Sequence, residues 1–460
     1  MRSTILGGVV LSLTIATLTT PAASGATAPK VNGSCTKAGA TAAAGSQSLV
    51  CTKVGRKLQW KAVATTAPTA APTTAPAATA APTTAAEAVK APSGEPIRVM
   101  QVLLELPAAG ITLPETKAAV QGRIDRLNKE GGILGRPVKL EVCQAEFDPN
   151  KADDCARKAV DGKFIAVIGS LFASGDSWLK ILGAAGIPSV GASVLTTGDN
   201  KFSNSYPVTG GGVATVAGEG AYLYDVVGAR KIAMATTDSA AGQLAFTNID
   251  YSLTARRTGL QGTLTVPRNK ADLSAEAQRA STLGDSLALN ATGGDFANMY
   301  RLLIGQGYSR KKIVTTEGIL IRTTRKAIGN DSLEGLAVIS GIAPDDPTNA
   351  AYKAYLGDLR SIGPDLLTDA ISKEAWLGTE LFAQAAAKMK TADAKSFVAA
   401  LTSITKFDGG GMIPPTDFSK PGNFLPDSPA VRNPFVQYSV MKAGEAVKTD
   451  GVWINPFAAK

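Results

Sequence analysis

The sequence predicts an α/β protein: two doubly wound, mostly parallel sheet lobes preceded by a small disulfide-held β module. Three observations carry this. From Pro96 onward, short apolar runs alternate with amphipathic helical stretches. About 360 residues follow Pro96, more than one ordinary sheet domain occupies. Residues 29–62 hold two of the four cysteines and too few apolar residues for a core of their own.

The elements follow in chain order. Met1 and Arg2 precede an apolar run from Ile5 to Leu18, and small residues follow through Ala26. This reads as a secretory signal peptide, residues 1–26, too short in its apolar run for a membrane anchor. The expected location is therefore extracytoplasmic: secreted, in a periplasm or at a cell wall. No cysteine stands at the cleavage region, so a lipoprotein is not expected. Residues 29–62 contain two half-similar pieces, Cys35-Thr36-Lys37-Ala38-Gly39 and Cys51-Thr52-Lys53-Val54-Gly55, and are expected to form a stapled β-hairpin. Such a unit serves either as a wall contact or as a cap on the chain. Residues 63–93 are almost entirely Ala, Thr and Pro, the composition of an extended spacer with nothing to bury.

Beyond the spacer, Ile97–Leu104 is an apolar, β-rich run. Glu115–Glu130 places Val120, Ile124 and Leu127 on one helical face and stops at Gly131-Gly132. Val138–Val142 alternates as an edge strand does, and Phe164–Ile168 is continuous, as in a buried parallel strand. Ile187–Val190 follows. A second series begins at Lys231, with strands expected at 232–235, 263–266, 286–289, 312–315 and 335–340. Residues 370–390 form a strongly apolar helix, and 435–441 with 451–455 read as a hairpin across 442–450.

Composition excludes several chemistries. There is no histidine, so neither a Ser-His-Asp nor a Cys-His arrangement is available, and no histidine-based metal site. No dinucleotide fingerprint and no P-loop is present; Gly210-Gly211-Gly212 reads as a flexible crossing between lobes. Gly284-Asp285-Ser286-Leu287 spells an esterase motif without the histidine that motif needs. The acidic pairs Asp153-Asp154 and Asp345-Asp346 read as solvated caps. The net charge of +9 is scattered, which argues against nucleic acid. No cofactor, metal or catalytic residue is expected. Four cysteines permit three connectivities; the local pairing Cys35–Cys51 and Cys143–Cys155 keeps each bridge within one segment, with a buried thiol as the alternative at Cys143.

The stretch Glu130-Gly131-Gly132-Ile133-Leu134-Gly135-Arg136-Pro137 resembles the signature of the Leu/Ile/Val-binding family of solute receptors. Asp148-Pro149-Asn150-Lys151-Ala152, Ala166-Val167-Ile168-Gly169-Ser170, Ala185-Gly186-Ile187-Pro188, Leu333-Glu334-Gly335-Leu336 and Asp345-Asp346-Pro347 match that family in order. The resemblance implies a type I periplasmic-binding fold over 97–460, its lobes joined by a three-segment hinge. Lobe one would span about 97–212 and 341–404, and lobe two about 213–340 and 405–460. It also implies an ABC permease and ATPase as partners, and a small amino-acid-like ligand. Sensing or adhesion on the same fold is the alternative, and a hydrolase the less favoured one.

Ligands of parallel sheets sit beyond the carboxyl ends of the strands. Candidate ligand contacts are therefore Ser174, Gly175, Ser193, Thr196, Asp238, Ala241 and Asp295. Ser174 and Gly175 open a helix whose N–H groups suit a carboxylate. Glu317, in Thr316-Glu317-Gly318, matches the residue that meets the ligand ammonium in amino-acid-binding relatives. Ala241 stands where those relatives often carry tyrosine, which implies a bulkier or less polar ligand than leucine.

Overall fold

The computed structural model describes residues 30–44, 47–62, 90–107, 111–173, 175–425 and 427–458. The signal segment and most of the spacer lie outside them. The chain divides into two units at Ala85/Ala86.

The first unit is a three-stranded antiparallel sheet in the order β1-β2-β3: β1 Thr41–Ala44, β2 Gln47–Val54 and β3 Lys57–Ala62. The expected hairpin is β2–β3, and β1 adds a strand. Leu49 and Cys51 are its buried apolar residues, and a Cys35–Cys51 disulfide supplies what so small a core lacks.

The second unit begins with β4 (Ile97–Leu103), α1 (Pro114–Lys129), β5 (Val138–Gln144), α2 (Pro149–Asp161), β6 (Ala166–Ile168), α3 (Ser177–Ala184), β7 (Ser189–Val190), α4 (Thr197–Lys201) and β8 (Ser205–Tyr206). The five strands form a parallel sheet in the order β5-β4-β6-β7-β8, with β5 at the edge as its alternation predicts. Pro114 starts α1, where a missing N–H is harmless, and Val120, Ile124 and Leu127 bury its inner face. Asp148 caps α2 by accepting from the Asn150 N–H, and a Cys143–Cys155 disulfide ties β5 to α2.

Helix α5 (Gly211–Asp225) leads into the second lobe. There follow β9 (Ile232–Thr237), α6 (Ala240–Ala255), β10 (Gly262–Val266), α7 (Ser274–Thr282), β11 (Ser286–Asn290), α8 (Gly293–Gly305), β12 (Ile313–Thr316), α9 (Arg322–Ile328), α10 (Asn330–Leu333) and β13 (Ala337–Ser340). The chain then returns to the first lobe for α11 (Ala350–Ile362), α12 (Ala370–Ala386) and α13 (Ala394–Leu401). Helices α11 and α12 pack on α1, and Arg126 of α1 donates to Asp358 of α11 and Glu380 of α12. Finally β14 (Gln437–Lys442) and β15 (Glu445–Lys448) complete the second sheet, in the order β10-β9-β11-β12-β13-β14-β15. Its first five strands are parallel and the last two antiparallel.

Two boundaries differ from the sequence reading. Residues 405–418 do not belong to lobe two: Phe407, Met412, Ile413 and Phe418 are buried in the core that holds Val99 and Ile168. At the C-terminus Val436 pairs with Ile454 as expected, but the chain between them does not form one loop over 442–450: β14 and β15 make a tight hairpin inside it. It turns at Ala443 (φ 51°) and Gly444 (φ 87°), the left-handed pair that matches strand twist in a two-residue loop.

Candidate functional site

The lobes face each other across a cleft crossed by three strands of chain, at Gly210–Gly212, at Gly341–Ile342 and at Asn433. At the crossings lies a cavity of about 260 Å³. Leu171, Val194, Leu195 and Ile371 wall it from the first lobe; Thr292, Thr316, Ile319 and Ile339 wall it from the second. A neighbouring compartment of about 160 Å³ shares Leu195, Thr215 and Ile319 and extends to Asn248 and Asn290 under α6. Both lie beyond the carboxyl ends of the parallel strands, where such sheets bind ligands. Gly211 makes the first crossing possible: its φ is +49°, and a Cβ there would stand 2.4 Å from Val194.

The walls are mainly apolar, with one ionisable group among them. Glu374, in the first turns of α12, is buried and lines the cavity. Ser193 Oγ donates to one of its carboxyl oxygens and Thr209 Oγ1 to the other. Thr209 Oγ1 itself accepts from the Gly211 N–H at 3.0 Å, so its own proton is directed at Glu374. Burial raises the Glu374 carboxyl above the usual carboxylate range, against the two hydroxyl donors that lower it. Among the described residues, no lysine or arginine lines the cavity.

The preceding residue faces elsewhere. Lys373 is fully buried, with Nζ 2.9 Å from Asp345 Oδ1 and 3.3 Å from Glu317 Oε1. Burial alone would strip its proton; Glu317 and Asp345 outweigh that and hold the ammonium protonated above the ordinary lysine range. Asp345 is in turn pulled down, burial being overcome by Lys373 and the Thr368 hydroxyl. Glu317 follows β12 in the second lobe, and Lys373 sits in the first, so this pair spans the cleft. Arg325 of α9 spans it too, donating to the Thr368 carbonyl at 2.6 Å. Asp345 is thus a half-buried ion-pair partner of the buried Lys373 and not the solvated cap its loop context implied. Its neighbour Asp346 does cap, accepting from the Thr348 N–H.

The sequence candidates are scattered across this geometry. Ser193 lines the cavity. Glu317 borders it through Thr316 and Gly318, but its Oε1 is taken by Lys373. Gly175, Thr196 and Ala241 line an open space of about 420 Å³ at the mouth of the cleft, with Asp176. Thr196 also caps α4 in a reciprocal box with Asp199. Asp238 is exposed, its N–H donating to Val266, and Asp295 accepts from the Asn269 N–H; neither borders the cavity. Ser174 lies outside the described residues. Glu374 and Thr209 were not anticipated. The signal for Glu374 was present: Lys373-Glu374 is a charged pair inside an otherwise apolar helical run, and buried polar groups are the informative ones.

A family model described as periplasmic binding protein matches residues 107–432. The chain belongs to that family. Its architecture is the type I periplasmic-binding fold. Among solved structures, a fatty acid ABC transporter substrate-binding protein from Thermomonospora curvata is 18% identical, covering 80% of this chain and 95% of its own, with a TM-score of 0.64. The branched-chain amino acid transporter substrate-binding protein of Streptococcus pneumoniae, in complex with isoleucine, is 17% identical over 78% of this chain and 100% of its own, at 0.62. A solute-binding protein from R. palustris in complex with benzoate is 16% identical over 78% and 99%, at 0.60. At these identities the likeness establishes the fold. No curated protein sequence matches the chain. As a periplasmic binding protein it has a solute-binding role, and its family places it outside the cytoplasm. Among the described residues, no helix is long and apolar enough to cross a membrane.

Proposed function

We propose that this protein captures a small organic solute, amino-acid-like in size, between its lobes and delivers it to an ABC permease and ATPase. One observation carries the reading: an apolar cavity of about 260 Å³ with a single buried carboxyl, walled by both lobes at their crossings. Pockets of this kind, apolar with a few convergent polar groups, are the form small-molecule sites take. The related structures from T. curvata, S. pneumoniae and R. palustris are named for or hold a fatty acid, isoleucine and benzoate. Ser193 is the sequence candidate kept for ligand contact. Glu317 pairs with the Lys373 ammonium across the cleft through Oε1. The test is a thermal-shift screen of amino acids, amides, amines and small acids. A ligand at a hundred times its Kd adds roughly 2.7 kcal/mol of stability. A screen across all these classes in which nothing shifts the melting temperature contradicts the receptor reading.

A second role belongs to the first unit. Residues 30–62 carry Lys30, Lys37, Lys53, Arg56, Lys57 and Lys61 and no acidic residue, so this small module is uniformly basic. Lys53, Arg56 and Lys57 are exposed around the β2–β3 turn. This charge suits an anionic wall polymer. Retention on a poly(glycerol phosphate) resin should be salt-sensitive and should fall when residues 30–62 are deleted. Equal retention of the full and deleted chains contradicts it.

A further inference from the structure

We infer that the ligand presents a cationic nitrogen to Glu374 and carries no free carboxylate: a monocationic amine on an apolar body, amino-acid amides included. This rests on the receptor reading above and names the chemical class that the same cavity takes.

The argument starts from charge balance. A buried carboxyl without a counter-ion is costly, and such a group either keeps its proton or meets a cation. Around Glu374 the protein supplies donors but no cation. Ser193 reaches it from the loop after β7, and Thr209 from the crossing before α5. The other groups bordering the cavity, from β11, β12 and β13 and from the first turn of α12, hold no titratable side chain. Lys373 is adjacent in sequence, yet its ammonium is committed to Asp345 and Glu317. The occupant is therefore the group that can bring the positive charge.

The hydrogen bonds point the same way. Thr209 Oγ1 accepts from the Gly211 N–H and donates to one Glu374 oxygen, and Ser193 Oγ donates to the other. A carboxylate offers about four lone-pair directions. The two hydroxyls occupy one on each oxygen, which leaves a place for further N–H donors from a ligand. A ligand carboxylate finds the opposite conditions. It would lie in an apolar cavity beside a carboxyl, with no lysine or arginine lining the walls. The remainder of the ligand meets Leu171, Val194, Ile319 and Ile371, which select an uncharged apolar body.

The test is calorimetry of the full chain with four probes of similar shape: isopentylamine, leucinamide, leucine and isocaproate. The two amines without a carboxylate should bind, and leucine and isocaproate should bind at least tenfold more weakly. Glu374→Gln should weaken amine binding roughly ten- to a hundredfold, the range for a charge-assisted hydrogen bond. The pH dependence gives a second readout. A cation binds the ionised carboxyl, and burial raises the Glu374 carboxyl, so amine affinity should rise with pH above the ordinary carboxylate range and level off once Glu374 is ionised in the empty cleft. That slope should vanish in Glu374→Gln. In Ser193→Ala, which removes one donor to the carboxyl, it should move to higher pH. Amine affinity and slope unchanged in Glu374→Gln overturn the proposal, as does tighter binding of isocaproate or leucine, or no binding by either amine. In all three of those outcomes the receptor reading still stands if any solute in the wider screen stabilises the protein.

Discussion

Buried carboxyls in this protein behave in opposite ways, and their partners explain why. Asp199 has no cation; its Oδ2 accepts from the Leu195 and Thr196 N–H groups and from the Thr196 hydroxyl. Burial, aided slightly by Asp176, pushes it up to about 7. A raised folded pKa means its stability is fully present below the unfolded value and is lost as pH rises through about 7. The loss is on the order of 4 kcal/mol at about 1.4 kcal/mol per unit. Because all three donors meet one oxygen, an asparagine can accept them. Asp199→Asn should therefore melt higher than the parent above neutral pH and lose that advantage under mildly acidic conditions. A parallel offset at every pH in differential scanning calorimetry would show that Asp199 is ionised throughout.

Asp345 has the reverse linkage. Lys373 and its hydrogen bonds depress it, so its contribution is present above the unfolded carboxylate pKa and disappears as pH falls through the folded one. Asp345→Asn leaves the fully buried Lys373 with only the more distant Glu317. Removing one member of a buried pair costs about 3 kcal/mol or more. Glu317→Gln should cost less, since Asp345 remains at 2.9 Å. Urea denaturation of both variants gives the ranking, and the reverse order would make Glu317 the principal counter-ion.

At the scale of elements, the placement of α12 depends on a contact between backbones. Gly378 faces Gly191, and a Cβ on Gly378 would stand 2.5 Å from the Gly191 Cα. Gly191 holds φ +63° at the end of β7. The two glycines let the helix lie directly on the strand end, one turn beyond Glu374. Gly378→Ala must lift the helix, and overpacking of this kind costs roughly 1–3 kcal/mol. Because the shift would carry Glu374 away from Ser193, ligand affinity should fall along with stability. A variant that loses stability but binds normally would mean that α12 yields at its far end. Most of these elements were legible beforehand. Strands β4, β6, β7 and β9 to β13 were read as apolar runs and β5 from its alternation, α1 from the face of Val120, Ile124 and Leu127, and the start of α2 from the family resemblance at Asp148-Pro149. The return of 405–418 to the first lobe was not, because Phe407 and Phe418 would fill either core equally well.

For the whole molecule, contacts among the described residues that join the lobes besides the crossings include Lys373 with Glu317 and Arg325 with the Thr368 carbonyl. They lie on one side of the cavity, while the mouth lined by Gly175, Thr196 and Ala241 is open. Hinge closure around a ligand would therefore bring Thr196 and Ala241 together and leave the Lys373 pair in place. Small-angle scattering should give a smaller radius of gyration with saturating ligand. Glu317→Gln should widen the distribution of the empty form without abolishing closure. Identical profiles with and without ligand would indicate a preformed site.

The sequence by itself determined the α/β class, the two series of strands and helices, the stapled module and the exclusion of histidine chemistry. These are properties of periodicity and composition, which are local. It also pointed to the strand ends, local features as well, and one residue it named there, Ser193, lines the cavity. Only the tertiary structure decided which polar groups serve the site. Lys373 and Glu374 are neighbours in sequence, yet one meets carboxylates from Glu317 and Asp345 and the other meets hydroxyls from Ser193 and Thr209. Adjacent helical residues point about 100° apart, and what each one meets is brought there by chain 28 to 181 residues away.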